Sequence, residues 1–297
     1  MKHAYLILAH KNLSQIQNII DILDSNLNDF YIHIDLKCKE EYKFNSKFSN
    51  IKIIRKENVV WGDYSIVSSE IYLLDIAIKN DNYSYFHLLS GEDLPIKDKN
   101  YIYNFFEKSG KEFIYFTNNK MSSKDYDRVK YNHFFIKKLR SSKKKYINSL
   151  YFRLNNFGVM LQKIFHCERV LYFDEYQKGA QWFSITSSFA KYVIENKDLI
   201  YKAFNKTLIP DELFMQTLVI NSKWKNSLYD YTNFDSCIQN MRLIDWNRGN
   251  PYIFQKEDFE ELINSQYLFA RKFSIEKDKE IINQLKKRLV IDNEVTK

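Results

Sequence analysis

Two continuous apolar runs with a helical segment between them set the strongest constraint on what this chain can fold into. Ala4-Tyr5-Leu6-Ile7-Leu8-Ala9 and Asp29-Phe30-Tyr31-Ile32-His33-Ile34-Asp35 read as strands covered on both faces. Between them, Asn12-Leu13-Ser14 leads into Ile16, Ile19, Ile20 and Leu23, the spacing of one helix face. Such a β-α-β opening points to an α/β fold, a mostly parallel central sheet flanked by helices. Further strands are expected at 51–54, 85–89, 112–116, 180–186 and around 241–244. Helices are expected at 65–78, 101–108, 211–221 and 276–288. Ligand-binding groups then belong at the C-terminal ends of the parallel strands. With no internal repeat or low-complexity linker, the 297 residues read as a single domain.

Composition excludes several alternatives. There are only six glycines and three prolines, and no Gly-x-Gly. Phosphate loops of the dinucleotide and Walker types need closely spaced glycines to bring backbone N–H groups to phosphate, so both are ruled out. The formal net charge is +8, but heavy use of Lys, Asn, Ile, Tyr and Phe fits AT-rich coding, which makes the basic excess weak support for a nucleic-acid partner. Cys38, Cys167 and Cys237 are odd in number and widely spaced, so neither a disulfide framework nor a cysteine zinc site is suggested. The apolar stretch at Ala4 to Ala9 is too short for a signal-peptide core, and no run reaches the length of a membrane span. A reducing, cytoplasmic location is the expectation.

Four segments carry residues suited to chemistry. Ser90-Gly91-Glu92-Asp93-Leu94-Pro95 follows an expected strand and reads either as a ligand loop or as an ordinary turn and helix cap. In Trp61-Gly62-Asp63-Tyr64-Ser65 the indole could lie on a base or sugar, while Asp63 and Ser65 also suit a helix N-cap. Ile209-Pro210-Asp211-Glu212 suits helix initiation first, and a carboxylate there could also serve as a general base. Arg242, and Arg271 with Lys272, put cations within apolar segments, either as snorkelling surface groups or as anion ligands. Separately, Lys137, Lys138, Arg140, Lys143, Lys144 and Lys145 lead into an aromatic and aliphatic stripe of Tyr151, Leu154, Phe157, Leu161 and Phe165. That is a solvated basic face followed by core aromatics, or a peripheral attachment to an anionic membrane.

Eight segments, taken in order, resemble the core 2/I-branching β-1,6-N-acetylglucosaminyltransferases and their peptide O-xylosyltransferase relatives. They are Leu6 to His10, Tyr31 to Asp35, Val60-Trp61-Gly62, Leu88 to Pro95, Lys178 to Phe183, Pro210-Asp211-Glu212, Met241-Arg242 and Phe269 to Phe273, spanning roughly residues 4 to 275. The resemblance implies a GT-A-like nucleotide-sugar fold, with a nucleotide-binding half about 1–120 and an acceptor and catalytic half about 121–297. It implies inverting transfer from a UDP-sugar, with N-acetylglucosamine as the first expectation and xylose or another hexose as the alternative. Carried over residue by residue, Glu212 is the catalytic base, and Arg242 and Lys272 are the cations on the leaving diphosphate. His10, Asp35, Trp61 and Gly62 border the nucleotide, while Ser90, Asp93, Gln181 and Trp182 surround sugar and acceptor. No metal or other cofactor is expected: two fixed cations can do a metal's electrostatic work, and the one Asp-x-Asp, Asp125-Tyr126-Asp127, follows no expected strand. The animal relatives' Golgi anchor and disulfides are not matched, and neither are their acceptor-binding segments. The expected acceptor is a glycan or lipid-linked oligosaccharide of surface polysaccharide synthesis, reached from the inner membrane face. A basic nucleic-acid-binding module is the contrasting class.

Overall fold

The computed structural model describes residues 1–80, 82–139 and 144–295. Arg140 and Lys143 of the basic run lie outside the described residues. The opening is β1 (Lys2–Ala9), α1 (Leu13–Leu23) and β2 (Asn28–Ile34), followed by β3 (Ile51–Ile54) and α2 (Ser65–Ala77). Next come β4 (Tyr83–Ser90), β5 (Asp93–Pro95), α3 (Lys99–Ser109), β6 (Phe113–Ile114) and α4 (Ser123–Lys130). A long α5 (Lys145–Ile164) precedes β7 (Phe183–Thr186), α6 (Ser187–Glu195) and α7 (Lys197–Phe204). The chain ends through α8 (Phe214–Ile220), β8 (Arg242–Ile244), α9 (Phe259–Asn264), β9 (Phe269–Arg271) and α10 (Lys279–Val295).

A six-stranded sheet runs β3-β2-β1-β4-β7-β6, and a three-stranded sheet runs β5-β9-β8. In the large sheet β3, β2, β1 and β4 are parallel, whereas β7 is antiparallel to both neighbours. This is the mostly parallel sheet of a GT-A-like fold. Because side chains alternate along a strand, β1 sends Ala4 and Leu6 into one layer and Tyr5, Ile7 and Ala9 into the other. The first layer is covered by α2, α6, α7 and α8, the second by α1, α3 and α10. Burial on two sides is why the strands read as unbroken apolar runs.

Helix boundaries follow local chemistry. The Asp98 carboxylate accepts from the N–H groups of Asn100 and Tyr101 to start α3, and Gly110, at φ +58°, ends it. At α1 the cap comes from a distance, with Glu40 accepting from the N–H groups of Asn12 and Leu13. The helix expected at 211–221 is broken: Pro210–Glu212 is a short 3₁₀ turn and α8 starts only at Phe214, because Leu213 leaves helical geometry. One polar feature crosses the apolar core. Glu107 meets His3 Nε2 at 3.1 Å, His3 Nδ1 meets His87 Nε2 at 3.0 Å, and His87 Nδ1 meets the Ser184 hydroxyl at 2.9 Å. His3, His87 and Ser184 are fully buried, on β1, β4 and β7.

Candidate active site

The sequence-chosen residues fall into three groups, two of them at the C-terminal ends of β4 and of β1 and β2. In the first, β4 ends at Ser90 and the chain turns through Gly91 into β5. The turn is fixed by its own side chains: Ser90 N–H and Oγ donate to the two oxygens of Asp93 at 2.9 and 3.0 Å. Arg271, opposite Asp93 in the small sheet, donates to Asp93 Oδ1 at 3.0 Å, to Ser90 Oγ, and to Glu92 at 3.4 Å. Glu92 also pairs with Lys11 at 3.3 Å and Lys272 at 3.9 Å, and these cations, Arg271 foremost, hold its carboxyl below the usual range despite burial. Ser90 and Asp93 therefore act in this structure as the frame for Arg271. Buried Gln15 joins the turn to the next segment, donating to the carbonyls of Gly91 and Phe273.

Arg242 on β8 is the most unusual side chain here. It is 0% exposed, yet Nε, Nη1 and Nη2 have no hydrogen-bond partner. Its guanidinium lies 5.8 Å from the Trp182 ring and 5.4 Å from the Phe269 ring. Burial, partly offset by Asp93 and reinforced by Arg271, pulls its pKa down to about 10, which leaves it charged at neutral pH. Arg271 lies 4.9 Å from the same indole, so two cations share the Trp182 ring as a neighbour. Met241, which positions Arg242, has φ +53°, a strained conformation for such a residue. Its carbonyl accepts from the N–H groups of Leu268 and Phe269, which hold that geometry.

The second group surrounds Glu212, whose side chain is 35% exposed. Two guanidinium nitrogens of Arg128, on α4, reach Glu212 Oε2 at 3.3 Å each. The same Arg128 donates to the carbonyls of Leu208 at 2.8 Å and Ile209 at 2.6 Å. Ile209 has φ +53°, unfavourable for a β-branched residue and more so before proline. It is pinned from the other side as well, its N–H donating to the Gly62 carbonyl at 2.8 Å. Gly62, at φ +76°, is buried beneath Ile209, where an added Cβ would meet Ile209 at 3.3 Å. Glycine at 179 is needed for a harder reason: a Cβ would fall 1.6 Å from the Tyr115 carbonyl oxygen, and the Gly179 N–H donates to the Glu212 carbonyl.

Behind Glu212 lie two buried carboxyls. Burial, with the neighbouring Glu212 charge, pushes Asp211 up to about 7. Burial, then the Asp211 charge, raises Glu70 well above the carboxylate range, while Gln181 donates to it at 2.6 Å. Trp182 is held by Asn240, which donates to its carbonyl at 3.3 Å.

The third group is at the ends of β1 and β2. Asp35 is buried and accepts from the Lys37 N–H at 2.8 Å. His10 is exposed beside it and senses both Asp35 and Glu92, although partial desolvation and then Lys11 still lower its pKa. Trp61 is 44% exposed. Asp125 and Asp127 are on α4 and engaged by cations: Asp125 by Arg128 at 3.2 Å and Lys178 at 3.1 Å, Asp127 by Lys163. Among the described residues no group of three or more His, Cys, Asp or Glu is arranged to hold a metal ion.

Sequence reasoning passed over Arg128, Glu70 and the part of Arg271. Glu70 did leave a signal, an acid on the inward face of a helix with Val67, Ile71 and Leu74. Glu212 is 84 residues from Arg128 and Asp93 is 178 from Arg271, beyond what local spacing shows.

Comparison with known proteins places the whole chain rather than its individual side chains. The family model described as Core-2/I-Branching enzyme matches residues 3–264. Xylosyltransferase 2 of Rattus norvegicus is 24% identical over 315 positions, covering 95% of this chain and 33% of its own length. Xylosyltransferase oxt of Drosophila melanogaster is 24% identical over 310 positions, covering 96% and 33%. The beta-1,3-galactosyl-O-glycosyl-glycoprotein beta-1,6-N-acetylglucosaminyltransferase of Homo sapiens is 23% identical over 310 positions, covering 93% and 66%. The chain thus spans about a third of the length of the xylosyltransferases it matches.

Proposed function

From the premise that the chain belongs to the Core-2/I-branching enzyme family, we propose that it is an inverting, metal-independent glycosyltransferase acting on a UDP-sugar and a glycan or lipid-linked hydroxyl acceptor. The observation that carries this reading is the buried Arg242 guanidinium, charged and without partners, which calls for an anionic ligand. Arg242 and the more open Lys272 suit a departing diphosphate. Arg242 is enclosed, so neighbouring side chains must shift for an anion to reach it.

Glu212 is the base. Arg128 binds its Oε2, which leaves Oε1 to accept the proton of the acceptor hydroxyl. As that proton transfers, the acceptor oxygen bonds to the anomeric carbon and the bond to the UDP oxygen breaks on the opposite face, so the configuration inverts. The leaving diphosphate takes the electron pair, and the cations stabilise the charge, each contributing roughly 3 kcal/mol by analogy with preorganised donors. The engagement of Asp125 and Asp127 by cations supports the metal-free reading.

UDP-N-acetylglucosamine is the proposed donor. The names of the xylosyltransferase relatives favour UDP-xylose as a second reading. A calorimetric panel of UDP and UDP-sugars, with and without chelator, tests both. UDP is expected to bind in EDTA, and Glu212→Gln to keep that affinity while turnover falls roughly 100- to 10,000-fold. Turnover that vanishes in EDTA and returns with Mn²⁺ would overturn the metal-free mechanism. Salt-dependent nucleic-acid binding without UDP binding would put the chain in another functional class.

A further inference from the structure

Helix α5 is amphipathic in the reverse sense for a soluble protein. Its apolar residues Tyr146, Leu150, Leu154, Phe157, Leu161 and Ile164 recur every three or four positions, the spacing of one stripe, and that stripe faces outward. Tyr146 is 67% exposed and Ile164 58%. The inward face carries Asn148, Asn155 and Gln162 at seven-residue intervals. Asn155 is the one buried residue among the described residues of the helix, meeting His133 Nδ1 at 3.0 Å. Gln162 exchanges hydrogen bonds with the backbone of Asn132 at 2.9 Å in both directions, and Lys163 pairs with Asp127. The helix is fastened to the protein by these polar contacts together with Tyr151 against Phe135, and it offers its wider apolar stripe to its surroundings. Phe165, at 70% exposure, extends the apolar surface past the C-terminal end of the helix.

Charge selects the occupant. From Tyr131 to Cys167 the sequence has eight Lys and Arg and no Asp or Glu. The chain has 45 Lys and Arg against 37 Asp and Glu, so outside this segment cations and acids balance at 37 each, and the entire net charge of +8 belongs to the α5 region. We propose that α5 is a membrane-docking element that lies along an anionic bilayer, its apolar stripe in the interface and its lysines against lipid phosphates. At about 1.5 Å per residue the 20-residue helix gives a contact about 30 Å long. No helix among the described residues is long and apolar enough to cross a membrane, so the attachment is a peripheral one. The excursion leaves after α4, whose Arg128 grips Glu212, and returns at Lys178 to Trp182, so the docking element is rooted at the catalytic loop. This inference extends the acceptor reading to a surface, and it stands or falls independently of the donor.

The test is co-sedimentation of the full chain with phosphatidylcholine vesicles, with and without phosphatidylglycerol. Binding is expected only with the anionic lipid. The double variant Leu150→Glu/Phe157→Glu should weaken it about a hundredfold or more. Replacing Lys137, Lys138, Lys144 and Lys145 with Gln should weaken it by a factor on the order of a hundred to a thousand. Both sets of positions are exposed, and unchanged circular dichroism and melting would show the variants folded. In Phe157→Trp, the indole emission should shift to the blue when anionic vesicles are added. No binding by the wild-type chain, or undiminished binding by folded variants, would overturn the proposal. So would a lipid-free dimer in sedimentation velocity that Leu150→Glu/Phe157→Glu dissociates, since the stripe would then be covered by a second copy. UDP affinity, measured in parallel, reports on the transferase reading alone.

Discussion

A guanidinium with three unsatisfied nitrogens and no exposed surface, as at Arg242, works against the fold that carries it. The cost is one that only a bound anion removes. Arg242→Met, which keeps much of the volume and drops the charge, is therefore expected to raise ligand-free stability by about 1–3 kcal/mol in denaturant melts. The same change should lower UDP affinity about a hundredfold or more, seen as loss of the UDP-induced rise in melting temperature. A variant that is less stable yet still binds UDP normally would show that the residue is structural. Asp93 illustrates the opposite arrangement: a carboxylate that is also fully buried, but with both oxygens engaged by Ser90 and Arg271. From sequence, Arg242 is expected on the diphosphate and Asp93 around sugar and acceptor, but which of the two lacks partners is a property of three-dimensional surroundings that residue order does not record.

At the level of elements, the segment Lys178 to Trp182 and the turn Pro210 to Glu212 are locked together at Gly179. Gly179→Ala would force a Cβ to within 1.6 Å of the Tyr115 carbonyl oxygen, so the backbone must move. We expect a loss above about 3 kcal/mol in thermal or denaturant melts, with turnover falling further than stability explains, because Gly179 N–H fixes the Glu212 carbonyl. Gly158, on α5, has nothing within 4 Å of an added Cβ, and Gly158→Ala should be neutral or stabilising by up to about 1 kcal/mol. Equal effects at the two glycines would refute the close-approach argument. The β1-α1-β2 opening was readable because continuous burial and helical spacing leave direct marks on residue order. The helices α6 and α7 left marks that were passed over, Phe189, Ala190 and Val193 in one and Ile200, Ala203 and Phe204 in the other. The break at Leu213 left none, since it comes from a backbone turn imposed by Ile209 and its clamps. Likewise the aromatic stripe of α5 gave its period but not its direction, which depends on what the polar face finds to bind.

For the whole molecule, buried titratable groups set how stability varies with pH. Burial lowers His3 and His133 to about 4 and His87 further, and these raise stability fully above pH 6.5 and lose that contribution as the pH falls toward 4. Asp211 and Glu112, each raised by burial to about 7, act the other way: their contribution is complete below about pH 4 and is lost as the pH rises through 7. Above pH 6.5 the histidine contribution nears completion while the buried carboxyls Asp211, Glu112 and Glu70 go on losing theirs, so melting temperature should decline toward pH 8, and Asp211→Asn should flatten that decline. A wild-type profile flat over this window would contradict the buried-acid account. The histidine chain that joins β1, β4 and β7 has a further consequence for assembly. Apart from this chain and the Tyr31-Tyr83-Asp29 cluster nearer the strand starts, the strands meet largely through Leu, Ile and Phe, which discriminate poorly between neighbouring alignments. A slip of one residue between β1 and β4 would turn one imidazole into the opposite layer, stranding nitrogens that pair in only one alignment. The chain from Glu107 to Ser184 thus works as a parity check on strand register, rejecting mispaired sheets that greasy contacts alone would accept.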